Sequence, residues 1–140
     1  MITMLNDHDA RRFFQSARVA RLGCIVNGEP YVVPINYTFE DGSLYCHSLP
    51  GNKINGLRKN PRACVQVDEI EGDLHWQSVT AFGKYEEVTS QNERAEILGK
   101  LMKQFPLLTP VEAAICGDGC PPEVIVFRIK IDRVTGVSEG

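Results

Sequence analysis

Hydrophobic positions along this chain change their period several times, and each change marks an element. Ala10, Phe13, Phe14 and Ala17 recur at the i, i+3, i+4, i+7 spacing of one helix face. Asn6 to Ala17 is therefore predicted as a helix, with Asn6 as its cap and Asp9 at the third helical position. Val19 to Val26 reads as a strand, and Asn27-Gly28 behind it is a two-residue hairpin signal. Tyr31 to Phe39 is the returning strand, interrupted by Pro34; Asp41-Gly42 is a second tight turn, and Ser43 to His47 a third strand. A short helix opens at Lys53 and stops at Asn60-Pro61. Ala63 to Glu69 and Leu74 to Val88 then read as two strands joined by a turn at Glu71-Gly72-Asp73. Ser90 and Glu93 carry the pattern of a capping box, ahead of an amphipathic helix built on Ile97, Leu98, Leu101, Met102 and Phe105 that ends at Pro106. Thr109 to Ile115 is one or two further helical turns and Gly117 to Pro122 a loop. Glu123 to Val137 is a long final strand in which Val124, Val126, Arg128 and Lys130 alternate with Ile125, Phe127, Ile129 and Ile131.

The order is helix, three strands, short helix, two strands, helix, strand. Hairpin turns join the early strands, which excludes a βαβ repeat and points to an antiparallel sheet. The expected fold is α+β, mainly β: a six-stranded antiparallel barrel with peripheral helices, formed by residues 1–140 as a single domain. With 140 residues, 43% of them hydrophobic, the chain is large enough for one core. A net charge of −3 and no basic stripe argue against nucleic acid as a partner. No window approaches the ~20 apolar residues that span a bilayer. Asp7, Asp9, Arg11 and Arg12 stand where a signal peptide needs an apolar core, so the expected location is cytoplasmic, with no membrane partner. The five cysteines are an odd number, and Cys24, Cys46 and Cys64 fall inside strands as small hydrophobes, which suits a reducing compartment.

Candidate chemistry concentrates between the third and fourth strands. A hydroxyl, free backbone N–H groups and Lys53 meet at a helix N-terminus, which suits a phosphate. The plain alternative is an ordinary turn at Pro50-Gly51-Asn52 followed by a solvated lysine. His47 ends the preceding strand, as a surface or core residue or as one that works beside that phosphate. Pro34 marks an edge strand, a bulge, or backbone turned towards something other than a neighbouring strand. Trp76, Ser78 and Thr80 share one face of the fifth strand, which is either an outer face or a seam. Cys116 and Cys120 form a C-x3-C loop without the second pair that a zinc site needs, so no metal is expected; a thiol redox pair stays open. There is no nucleophile elbow, phosphate-binding Walker loop, dinucleotide glycine fingerprint or carboxylate pair, so an enzyme of this sequence would take its chemistry from a bound cofactor.

Taken in order, Pro30 to Tyr37, Leu44 to Ser48, Gly51 to Lys53, Leu57 to Pro61 and Trp76 to Gly83 resemble the FMN-binding split-barrel proteins related to pyridoxamine 5′-phosphate oxidase. Within them the chain looks most like the branch of the 5-nitroimidazole-resistance proteins. The resemblance implies a six-stranded split barrel that forms a homodimer and holds FMN at the subunit interface. It implies that Val32, Val33, Pro34, Ile35 and Asn36 meet the isoalloxazine ring. Cys46, His47 and Ser48 would line the ribityl and phosphate side, Asn52 and Lys53 would hold the phosphate, and Trp76 and Ser78 would approach from the fifth strand, towards the other subunit's flavin. His47 matches the histidine that lies beside the flavin in the resistance branch, as a proton donor or an anchor for an anionic substrate. The chain departs from the oxidase proper: Tyr31 replaces an arginine, Asn52 replaces a basic residue, and the last strand is not followed by the extension that helps hold pyridoxal phosphate. Pyridoxamine phosphate is therefore not the expected substrate.

Two functions follow as expectations. One is an FMN-dependent oxidoreductase that takes electrons from a reduced donor such as NAD(P)H and passes them to a small acceptor such as a nitro-aromatic compound, with His47 as the catalytic residue. The other is a flavin- or haem-binding protein for storage or sensing, without rapid turnover.

Overall fold

Inward and outward residues alternate along the strands, and the alternation keeps step from one strand to the next. Ala20, Leu22 and Cys24 of β2 (Val19–Val26) are buried and lie opposite Ile35, Val33 and Tyr31 of β3 (Glu29–Asn36). Arg21 and Gly23 point the other way, opposite Pro34 and Val32. The same phase passes to β6 (Arg62–Gly72) and β7 (His75–Glu87), where Val65, Val67, Val79 and Ala81 are fully buried. The computed structural model describes residues 1–16, 19–104 and 124–140. Ala17, Phe105, Pro106, the turns expected over Thr109 to Ile115, and the loop with Cys116 and Cys120 lie outside the described residues.

The remaining elements are β1 (Ile2–Met4), α1 (Asp7–Ser16), β4 (Thr38–Glu40), β5 (Ser43–Ser48), α2 (Asn52–Lys59), α3 (Gln91–Gln104) and β8 (Ile125–Glu139). Strands run antiparallel in the order β3-β2-β6-β7-β8-β5-β4, with β1 added beside β8. The sheet thus has eight strands rather than the expected six. β1 carries no alternation that marks it as buried: all three of its residues are exposed. The other extra strand comes from a break. Tyr31 to Phe39 was expected as one strand interrupted at Pro34, but the chain breaks at Tyr37, and its two parts occupy opposite ends of the strand order. One bent segment therefore carries both edges of the sheet and curls it into a barrel with an opening, the α+β split-barrel arrangement. Pro34 sits on β3, which among the described residues pairs only with β2, so its missing N–H falls on an edge strand.

Side-chain contacts explain the helices. Asn6 caps α1: its Oδ1 accepts from the Asp9 N–H at 2.8 Å, and its amide donates to the Asp9 carboxylate at 3.2 Å. Phe14 of α1 is buried between Tyr37, edge-on at 6.1 Å, and Phe39, stacked at 6.3 Å. Ile97 and Leu101 of α3 close a second, smaller core with Tyr45, Val88 and Val126. Ser90 accepts the first backbone bond of α3, from Arg94, at 2.8 Å. The Glu93 carboxylate does not fold back on Ser90 as a capping box would have it; it takes a hydrogen bond from Arg128 of β8 at 3.2 Å. No helix among the described residues is long and apolar enough to cross a membrane.

α2 crosses β2 closely, and Gly56 permits it: a Cβ there would lie 2.5 Å from the Ile25 carbonyl oxygen and 2.9 Å from Val26 Cγ2. Backbone on one side cannot move away. Gly56→Ala should lower stability by about 1–3 kcal/mol through overpacking, read as a lower urea midpoint with an unchanged m-value. An unchanged midpoint would show that α2 can lift from β2 freely.

Candidate functional site

The opening of the barrel follows from where pairing stops. β4 covers β5 only from Ser43 to Tyr45, and β3 pairs only with β2. Among the described residues no ladder joins β3 to β5, so past Tyr37 and Tyr45 the two strands are not paired with each other. On one side of this gap lie Val32 to Asn36, on the other Cys46, His47 and Ser48. The outer edge of β3 carries N–H and C=O groups that no neighbouring strand takes among the described residues, and such groups can hydrogen-bond a planar polar ring. Val32, Pro34 and Asn36 are exposed and face outward; Ile35 is buried and Val33 packs on the core, so these two can offer a ligand only their backbone.

α2 begins beside the end of β5. Gly51 precedes it in extended backbone with φ 173°, and no side chain caps the helix. The Asn55 N–H reaches the Gly51 carbonyl at 3.0 Å. The N–H groups of Asn52, Lys53 and Ile54 have no acceptor inside the helix, and the first turn holds no acidic residue. A Cβ on Gly51 would meet nothing within 4 Å, so the backbone just ahead of the helix is not packed over. Lys53 is half-buried, and its ammonium is close enough to the thiols of Cys24 and Cys46 to pull both pKa values down. Burial outweighs that pull: the Cys24 thiol is raised, and the Cys46 thiol is pushed up to about 12. Both stay protonated at neutral pH, so neither is a nucleophile and neither adds a negative charge beside Lys53.

Cys46 is buried in the core, so it too would meet a ligand through backbone only. His47 is half-buried opposite Val126, and Ser48 is buried opposite Ile125. The Ser48 hydroxyl donates to the Leu49 carbonyl at 2.8 Å; its hydrogen must rotate before it can meet an oxyanion. These residues and Lys53 gather where β5 ends and α2 begins. The backbone N–H groups of the first turn, an ammonium, a carboxamide and a nearby hydroxyl are a donor set whose chemistry fits a phosphate monoester.

Trp76 and Ser78 are not part of that cluster within one chain. They lie on the outward face of β7, opposite Ile70 and Asp68. Ser78 Oγ accepts from the Gln66 amide at 2.9 Å, which also donates to Asp68 at 2.9 Å, and Arg21 donates to Gln66 and Asp68 at 3.1 and 2.8 Å. Sequence reading missed this outer network. Arg21, Gln66, Asp68 and Ser78 each look like ordinary outward positions of a strand, and only the β2–β6–β7 register brings them together. Val32 is 65% exposed on the same face of the sheet, so it sits beside a polar belt and leaves apolar surface uncovered.

A family profile described as pyridoxamine 5′-phosphate oxidase matches residues 6–137. A protein of Rhizobium meliloti (strain 1021) described as uncharacterized is 30% identical over 144 residues, which is 96% of this chain and 93% of that protein. Among solved structures, an FAD-binding protein from Mesorhizobium loti is 33% identical, with a TM-score of 0.82 over 100% of this chain and 99% of that one. A candidate 5-nitroimidazole antibiotic resistance protein from Bacteroides thetaiotaomicron shares the fold, with 22% identity and a TM-score of 0.73 over 99% of this chain and 89% of that one.

A charged tie holds the far end of α2. Arg58 Nε donates to the Glu87 carboxylate at 2.5 Å, and the Tyr85 hydroxyl donates to the same oxygen at 2.8 Å. The bond from Arg58 holds the Glu87 carboxyl below its ordinary 4.5. A depressed carboxyl stabilises the fold above its unfolded value, and that contribution is lost as pH falls through the folded value. Stability should therefore be flat from neutrality to about pH 5 and decline below it, and Glu87→Gln should lessen the decline. Urea titrations of both proteins across this range test it; identical acid limbs would show that the tie adds nothing.

Proposed function

The chain belongs to the pyridoxamine 5′-phosphate oxidase family, and from that premise we propose that it is a flavin-dependent oxidoreductase holding FMN as its minimal cofactor. The observation that carries this reading is Lys53 at an uncapped, acid-free helix start beside the end of β5 and the outer edge of β3. When bound, a flavin supplies electron transfer between a reduced donor and an acceptor. The first turn of α2, Asn52 and Lys53 bind the phosphate. Backbone groups of β3 and of Cys46 to Ser48 hydrogen-bond the ring and fix its plane. His47, at the end of β5, exchanges a proton at its imidazole or anchors an anionic acceptor. The donor is NAD(P)H or another reduced carrier, and the acceptor a small nitro-aromatic or quinone-like compound.

We further propose a homodimer. The outward face that carries Val32, Trp76 and Ser78 is partly apolar, with Val32 65% and Ile70 70% exposed. Covering it with a second copy would bury that surface and bring the partner's fifth long strand, with its tryptophan, towards the gap. The FAD-binding protein from Mesorhizobium loti, similar over its whole length, supports a flavin as the ligand class.

The purified protein should be yellow, with an absorbance maximum at about 450 nm from oxidised flavin. A colourless protein that takes up no added flavin would sink the reading. Lys53→Met should weaken FMN binding by roughly 10- to 100-fold and leave riboflavin, which has no phosphate, unaffected. His47→Gln should keep the flavin bound while slowing reoxidation by a nitro-aromatic acceptor; equal rates would remove His47 from the chemistry.

A further inference from the structure

Between the β2–β3 turn and the flank of α2 lies a cavity of about 470 Å³, lined by Ile25, Asn27, Asn52, Asn55, Lys59 and Asn60 among others. Its volume falls within the ~300–1,000 Å³ usual for small-molecule sites. It runs the length of α2, about 12 Å for eight residues at 1.5 Å each, from Asn52 to Asn60. Asn52 belongs to this cavity and to the helix start that faces the phosphate, so the two sites are continuous.

The lining has a definite chemistry. Ile25, Val26 and the side-chain-free Gly56 give an apolar floor. Four carboxamides, Asn27, Asn52, Asn55 and Asn60, stand around it, with Lys59 as a cation and no acidic residue. Asn60 Oδ1 accepts from the Arg62 N–H at 3.2 Å, and Arg58 is turned to Glu87. Among the described residues, the side chains of Asn27, Asn52, Asn55 and Lys59 make no hydrogen bond or ion pair. A carboxamide offers a donor and an acceptor side by side, which is the complement of an adenine edge. Apolar floor, unengaged amides and a cation together fit a purine nucleotide.

We propose that this cavity takes the adenylate half of FAD, so that the chain binds FAD in preference to FMN. The purine lies on the Ile25–Val26 floor with its edge on the asparagines. Its phosphate shares the donors of the first turn of α2 with the flavin phosphate. The assignment rests on the flavin reading above and deepens it.

Flavin-free protein titrated with FAD and with FMN, followed by quenching of flavin fluorescence, tests it. FAD should bind at least about tenfold tighter than FMN, and adenosine, which carries no phosphate to compete for the first turn of α2, should displace FAD but not FMN. Asn55→Leu and Lys59→Gln, both at exposed positions of α2, should each weaken FAD by about tenfold and leave FMN within about twofold. Equal affinities for the two flavins, or variants that weaken both alike, would overturn the adenylate site while leaving the flavin reading intact. Binding of neither flavin would overturn both.

Discussion

A single buried hydrogen bond, from the Tyr37 hydroxyl to the Phe14 carbonyl at 2.8 Å, holds the bend on which the rest of the architecture depends. A strand running straight from Glu29 to Glu40 would pair on one side throughout. Instead its first part pairs with β2 and its last three residues with β5. The phenol is buried, and burial, with the Cys46 thiol beside it, raises its pKa above the ordinary tyrosine value, so it stays a donor. Leaving such a hydroxyl without a partner would cost about 1–3 kcal/mol. α1 supplies that partner and packs Phe14 against the same ring, so the N-terminal helix keeps the barrel from closing.

Two requirements meet at α2. The helix must lie close to β2, which Gly56 allows, and its start must face the gap, which the turn after Ser48 sets. Its start then delivers a cation among two thiols that burial keeps neutral. Had either ionised, it would have competed with an anionic ligand for Lys53. The same desolvation that makes those cysteines poor nucleophiles thus preserves the electrostatics of the site.

Much of this was legible in the residues. The β2 bounds, the Asn27-Gly28 turn, the start of α1 at its asparagine cap and the arrest of α2 before Pro61 follow from period and turn chemistry, which act locally. The local pattern also drew attention to His47, Ser48 and Lys53, because they are close in sequence, while Asn52 was singled out by the family resemblance. The break at Tyr37 was not legible: its cause is a carbonyl on α1, distant in sequence. Nor was the diversion of Glu93 to Arg128, since a capping box is read locally and the competing arginine arrives on the last strand. β1 was missed because three exposed residues carry no buried period, and the Arg21–Gln66–Asp68–Ser78 network because only register assembles it.

The segment 49–61 leaves the sheet at the end of β5 and rejoins it at β6. It carries Asn52, Lys53, Asn55 and Lys59, and its inward contribution to the main core is confined to Ile54 and Leu57. Doubling the length of such an excursion costs only about 0.6 kcal/mol in closure entropy. Insertions and substitutions there can remodel what is recognised while the barrel keeps its register, so recognition and foldability are inherited through different residues. A lineage of such barrels could exchange one nucleotide for another without passing through an unfolded ancestor.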